Sequence, residues 1–229
     1  QKQALKEELA MTHKRLTLFA GHYGSGKTNV AVNFAFDLKK QYNSVAIADL
    51  DIVNPYFRSA DFAELFKEKN VTLAAPMFAN TNLDIPAISF DLERIAEEDG
   101  YLIVDVGGDE DGAAALGRYA NGLSAHSDNI EVVYVVNMYR YLTGTAEGAV
   151  QFMNEIADAS RLKHTAIVNN SNLAEETTAE RIEASVPYAE KICELTGLPL
   201  LYTVVSGGIK ANVPDPFEAE VYVKKIWDL

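Results

Sequence analysis

A doubly wound, mainly parallel α/β sheet of about seven strands, with helices on both faces in three layers, is the architecture this sequence predicts. Three observations predict it. Short apolar runs alternate along the chain with amphipathic stretches long enough for helices. Several of the runs are continuous, such as Tyr101-Leu102-Ile103-Val104 and Val132-Val133-Tyr134-Val135-Val136, the pattern of strands covered on both sides. A glycine-rich octapeptide, Gly21-His22-Tyr23-Gly24-Ser25-Gly26-Lys27-Thr28, joins the first apolar run to the first helical stretch.

Taken in order, apolar runs bounded by turn residues place strands near Arg15 to Ala20, Ser44 to Asp49, Val71 to Ala75, Tyr101 to Asp105, Glu131 to Val136, Thr165 to Asn169 and Leu200 to Val204. Amphipathic stretches between and after them predict helices over Thr28 to Gln41, Tyr56 to Lys69, Ile88 to Glu98, Asp111 to His126, Thr145 to Ser160, Glu175 to Thr196 and Pro216 to Trp227. The irregular segment from Pro76 to Pro86 reads as a crossover or as a lid. With 229 residues, 48% of them hydrophobic, the chain can bury one substantial core. The expected organisation is a single nucleotide-binding domain over 14–229 preceded by an amino-terminal helix or arm, 1–13.

A net charge of −13 argues against a nucleic-acid surface, because phosphate backbones reward clustered Lys and Arg. No apolar run approaches the roughly 20 residues that a membrane helix needs. The amino terminus is charged and has no secretory apolar core, so a cytoplasmic protein is expected. The single cysteine, Cys193, leaves no internal disulfide and no CxxC cluster or metal site.

The octapeptide fits GxxxxGK(S/T) in a strand-loop-helix context, which is the signature of a phosphate-binding loop. Glycines let the backbone curl until its N–H groups face phosphate oxygens. Lys27 supplies a cation for the β- and γ-phosphates and Thr28 a hydroxyl for Mg2+, while the helix that runs on from Asn29 adds its positive end. A nucleoside triphosphate with Mg2+ is the expected ligand.

Two acidic motifs follow at strand ends. In Ala48-Asp49-Leu50-Asp51-Ile52-Val53-Asn54-Pro55, alternation puts Asp49 and Asp51 on one side, suited to a hydrated Mg2+ and an attacking water. Asp51, nearer the mouth, is the candidate for orienting water. In Val104-Asp105-Val106-Gly107-Gly108, Asp105 ends a strand as the second metal candidate, and Gly108 offers a backbone N–H to the γ-phosphate. Asp109-Glu110-Asp111 beyond it reads as a helix cap. Asn169 is placed to contact the base. Because Asn169-Asn170-Ser171-Asn172 lacks the NKxD tetrad with which guanine is read, adenine and hence ATP are favoured.

Together these residues resemble the deviant Walker ATPases of the MinD/ParA/CobQ/CobB group, over roughly Arg15 to Leu229. The resemblance implies a Mg2+-dependent ATPase that cycles between ATP and ADP and, in its nucleotide-bound state, dimerises or docks a protein partner. It implies Lys27 and Thr28 as phosphate and magnesium residues, Asp51 as the first-switch Asp, Asp105 as the Walker B Asp and Asn169 as the adenine contact. The group carries an early signature lysine where this chain has His22, and a glycine where it has Tyr23. Histidine is shorter and mostly neutral at pH 7. Arg58, Arg118 and Arg140 are the arginines that could replace the missing charge, with Arg58 first because it closely follows Asp51. The carboxy-terminal stretch is too acidic for the basic amphipathic helix of the membrane-targeting members.

Two other readings stand beside the switch. One is an ATP-dependent small-molecule ligase, amidotransferase or kinase, with the 76–90 loop taking substrate; only Arg94 lies near that loop, few for a kinase lid. The other is a weakly hydrolysing nucleotide sensor, suggested by His22.

Overall fold

Strands β1 (Leu16–Ala20), β2 (Ser44–Leu50), β3 (Thr72–Ala74), β4 (Gly100–Val106), β5 (Ile130–Val136), β6 (Ala166–Asn169), β7 (Leu200–Ser206) and β8 (Pro216–Ala219) form one sheet in the order β3-β2-β4-β1-β5-β6-β7-β8. Each neighbouring pair is parallel. The computed structural model that shows this describes residues 13–50, 60–74, 100–108, 110–117, 120, 123 and 127–222. The expected helix over Ile88 to Glu98, the segments 76–86 and 76–90, the arm before residue 13, and Asp51, Arg58, Arg94, Asp109, Arg118 and Trp227 lie outside the described residues.

Helices α1 (Lys27–Lys39), α2 (Ala60–Glu68), α3 (Glu110–Gly117), α4 (Ala146–Ser160), α5 (Ala179–Ala184) and α6 (Val186–Thr196) cover the sheet on both sides. Strand alternation divides the core accordingly. Phe19, Ile47, Ile103, Val133 and Val168 pack with Val30, Phe34 and Leu38 of α1 and Phe66 of α2. Leu18, Val104, Val132, Tyr134 and Ile167 pack on the other face with Leu116 of α3, Met153 and Ile156 of α4 and Ile192 of α6. This is the expected three-layer α/β/α architecture, with eight described strands. Among the described residues no helix is long and apolar enough to cross a membrane.

Two expectations are corrected. The segment expected as a helix from Pro216 begins as the edge strand β8, paired with β7 from Thr203–Pro216 to Ser206–Ala219. Pro216 is tolerated as its first residue, where the missing N–H costs no internal bond. The chain is then held by two side chains of α1. Asn29 and Asn33 each donate to the Glu220 carbonyl (2.9 and 2.8 Å), and their carboxamide oxygens accept from Tyr222 N (2.8 Å) and Glu220 N (2.9 Å). Asparagine amides thereby stand in for a neighbouring strand. The second correction concerns the helix expected over Glu175 to Thr196, which is a 3-10 turn (Ala174–Glu176) followed by α5 and α6. Pro187 starts α6 and cannot continue the ladder of α5. Cys193 lies half-buried on α6, and burial pushes its thiol up.

His164, just before β6, is buried with neither ring nitrogen hydrogen-bonded, and its ring meets Tyr134 edge-on at 5.1 Å. Burial lowers its pKa from 6.5 to about 4. The unfolded imidazole thus binds a proton more readily than the folded one, so stability is complete above pH 6.5 and falls as pH drops toward 4. The expected loss is about 3 kcal/mol by pH 4. Denaturant midpoints at pH 7.5, 5.5 and 4.5 should show the decline in the native chain and a flatter profile in His164→Leu; identical profiles would place the acid sensitivity elsewhere.

Candidate functional site

The site forms where β1 ends between β4 and β5. Parallel pairing sets Phe19 beside Asp105 on one side and Val133 on the other, so the octapeptide leaves the sheet at the carboxyl ends of all three strands. Its backbone then doubles back: Ser25 N donates to the His22 carbonyl at 3.0 Å, and Gly26 enters the left-handed region at φ 81° as the cap of α1. A side chain at Gly26 would be strained there and would collide with the Asn170 amide. Asn170 donates through Nδ2 to the Ser25 carbonyl at 2.7 Å and so fixes the loop from β6. The first turn of α1 has no side-chain cap and no acidic residue, which leaves its N–H groups directed at the loop's concave side.

Of the residues expected around that concavity, Lys27, Thr28, Asp105 and Gly108 come together. Thr28 donates through Oγ1 to Asp105 Oδ2 at 2.6 Å, in a buried contact between residues 77 positions apart. Asp49 lies in register with Asp105 across β2 and β4. Lys27 is only 5% exposed. Gly108 closes over the loop so tightly that a Cβ there would come within 2.9 Å of Tyr23 N and 3.1 Å of Lys27 Nζ. The Ser25 hydroxyl is 2% exposed and has no hydrogen-bond partner. A buried donor left unsatisfied is expensive unless a ligand oxygen meets it. This set of donors, one carboxylate beside a hydroxyl under a lysine, fits a phosphate-bound Mg2+ that keeps most of its water.

The side chains peculiar to this loop take other positions. His22 turns onto α4, where its ring packs against Phe152 at 4.7 Å and 65°, and its Nδ1 lies 2.9 Å from the Tyr23 carbonyl. Tyr23 is 57% exposed. Arg140, in the turn after β5, lies against Gly24, with Cζ and Nε both 3.3 Å from where a Cβ would be. Asn29 follows Thr28 but spends its side chain on the segment after β8.

Asn169 does not face the loop. It is fully buried, donates through Nδ2 to Ser185 Oγ at 2.8 Å, and accepts at Oδ1 from Ser171 N and Oγ at 3.2 and 2.7 Å. Its polar atoms are engaged between β6 and the α5–α6 junction, so the contacts that the structure shows for it are internal ones, and the expected contact with the base is not among them. Asn170 was not singled out from sequence, though strand alternation carried the signal, since it shares a face with Val168 and α1.

Known proteins supply the fold. No family model matches the chain, and neither does any curated protein. Solved structures do match. The chloroplast FtsY of Physcomitrella patens aligns with a TM-score of 0.57 at 16% identity, covering 93% of this chain and 69% of that one. FtsY of Mycoplasma mycoides aligns with a TM-score of 0.53 at 20% identity, covering 83% of this chain and 59% of that one. The signal recognition particle receptor FtsY of Elizabethkingia anophelis, in complex with GDP, aligns with a TM-score of 0.51 at 15% identity, covering 85% and 58%. At these identities the likeness is one of fold. The chain spans less than two thirds of the length of the Mycoplasma and Elizabethkingia chains.

The two neighbouring asparagines should separate in experiment. Asn169→Ala should cost about 2 to 4 kcal/mol, because Ser171 and Ser185 are left buried without their partner. Asn170→Ala should cost about 1 kcal/mol and loosen the loop. Chemical denaturation measures the first, and hydrogen exchange at the amides of 21–28 the second; equal protection there in both variants would remove Asn170 as the loop's anchor.

Proposed function

We propose that this chain is a Mg2+-dependent ATP-binding switch that hydrolyses ATP and acts on a protein partner or on a second copy of itself. One observation carries the reading: a buried hydrogen bond joins Thr28 to Asp105 at a loop where Gly108 closes on Lys27 and the Ser25 hydroxyl has no hydrogen-bond partner. In this reading the N–H groups of 24–28 and Lys27 bind the β- and γ-phosphates, and Gly108 senses the γ-phosphate through its backbone. Thr28 and Asp105 hold Mg2+, which when bound neutralises phosphate charge. Asp51 orients the attacking water and Arg58 stabilises charge from the same segment. The deviant Walker affiliation, the single domain over 14–229 and a cytoplasmic setting belong to the same proposal. That every described strand joins one sheet supports the single domain.

Adenine is the proposed base because the Asn169–Asn172 run offers carboxamides where a guanine reader places a carboxylate. The Elizabethkingia FtsY structure, by contrast, holds GDP. A second reading, a nucleotide sensor with slow turnover, draws support from His22, which stands where the deviant Walker group carries a lysine and whose ring packs against Phe152.

Lys27→Ala should abolish ATP binding in a calorimetric titration; unchanged affinity would falsify the phosphate-loop assignment. Asp51→Ala should bind ATP as the native chain does and hydrolyse it about a hundredfold more slowly. Wild-type turnover in that variant removes Asp51 from the mechanism, and negligible turnover in the native chain favours the sensor. Competition between ATP and GTP for the same site should favour ATP, and a preference for GTP would overturn the base assignment.

A further inference from the structure

We propose that Arg140 is a second cationic contact for the nucleotide's polyphosphate, supplied within the same chain from the turn after β5; this inference rests on the nucleotide reading above. Its guanidinium stands beside Gly24, the fourth residue of the octapeptide, where a Cβ would lie 3.3 Å from Cζ and from Nε. Gly24 sits at φ 77°, so the loop shows the arginine backbone only and presents no anion to it. The same loop carries positive features of its own: the amino-terminal end of α1, with no acidic residue in its first turn, and Lys27, three residues after Gly24. A cation placed there is opposed by both, and the opposition vanishes once an anion occupies the loop.

The guanidinium makes no hydrogen bond or ion pair with any described residue, although acidic residues outnumber basic ones 33 to 20 in the chain. The turn that carries it is nevertheless built firmly. Arg140 N donates to the Asn137 carbonyl at 3.2 Å and Tyr139 N to Asn137 Oδ1 at 3.0 Å. Thr143, 3% exposed, donates through Oγ1 to the Asn137 carbonyl and through N to the Arg140 carbonyl, both at 3.2 Å. Met138 N is tied to Ser171 Oγ at 3.0 Å, which links the turn to the end of β6. A hydrogen-bonded turn therefore delivers a charged tip to the phosphate loop. An arginine fork suits phosphate because its N–H groups pair with two oxygens at once.

The test is titration of Mg-ATP and Mg-ADP into the native chain, Arg140→Ala, Arg140→Lys and Lys27→Ala, with the melting temperature of each nucleotide-free variant. Arg140→Ala should weaken ATP about ten- to a hundredfold while melting where the native chain does. Arg140→Lys should recover part of the affinity, since it restores charge without the fork. ATP affinity within twofold of native in Arg140→Ala, with Lys27→Ala binding none, overturns the proposal and leaves the phosphate loop intact. A lowered melting temperature together with no recovery in Arg140→Lys overturns it as a packing effect. If the native chain binds neither nucleotide, the nucleotide reading falls and this inference with it.

Discussion

The hydrogen bond from Thr28 to Asp105 exists because β1 lies between β4 and β5. In a parallel sheet with crossovers, the carboxyl ends of neighbouring strands open on one side, so residues far apart in sequence arrive at one edge. Here the central position of β1 gives its loop two flanks. β4 contributes Asp105 and Gly108 from one, and β5 and β6 contribute Arg140 and Asn170 from the other. Moving β1 to the sheet's edge would remove one flank altogether. The bond itself is short and buried, where each partner would be costly to leave alone. It therefore fixes the first helical turn against the neighbouring strand before any ligand arrives.

Much of this arrangement was legible in the residues. Glycine spacing named the loop, and apolar runs ending in Asp named β2 and β4, because parallel strands buried on both faces leave uninterrupted apolar text. What escaped was finer than motif. Asn169 and Asn170 are identical in type and adjacent, and only the two-residue alternation of β6 decides that one points to Ser185 and the other to the loop. Similarly, Phe217 and Ala219 alternate with Glu218 and Glu220, a strand's period, in a stretch whose length and mixed charge suggested a helix. Four residues are too few for periodicity to overrule that impression. The decisive contacts come from Asn29 and Asn33, nearly two hundred positions away.

His22 and Arg140 illustrate a related limit. By position in the octapeptide, His22 was the residue to ask about charge, yet its imidazole packs edge-on against the Phe152 ring beside the loop. Arg140 stands in a turn without any motif, and its approach to Gly24 depends on how β5 leaves the sheet. Sequence shows which side chains can carry charge. Which of them reach a given point is settled by the hydrogen bonds of the turn, here those gathered on Asn137.

The asparagine clamp on the segment after β8 has a mechanical consequence. Asn29 and Asn33 belong to the first two turns of the same helix that begins at Lys27, and together they grip the backbone of Glu220 and Tyr222 by four hydrogen bonds. Bonds of this number, spaced along two turns, resist tilting as well as translation. The helix start and the point where the chain leaves the sheet thus behave as one lever, with its short arm at the phosphate loop. The residue after Thr28 and the backbone of Tyr222 are thus tied by a direct hydrogen bond, so the phosphate loop and the last described segment share one anchor.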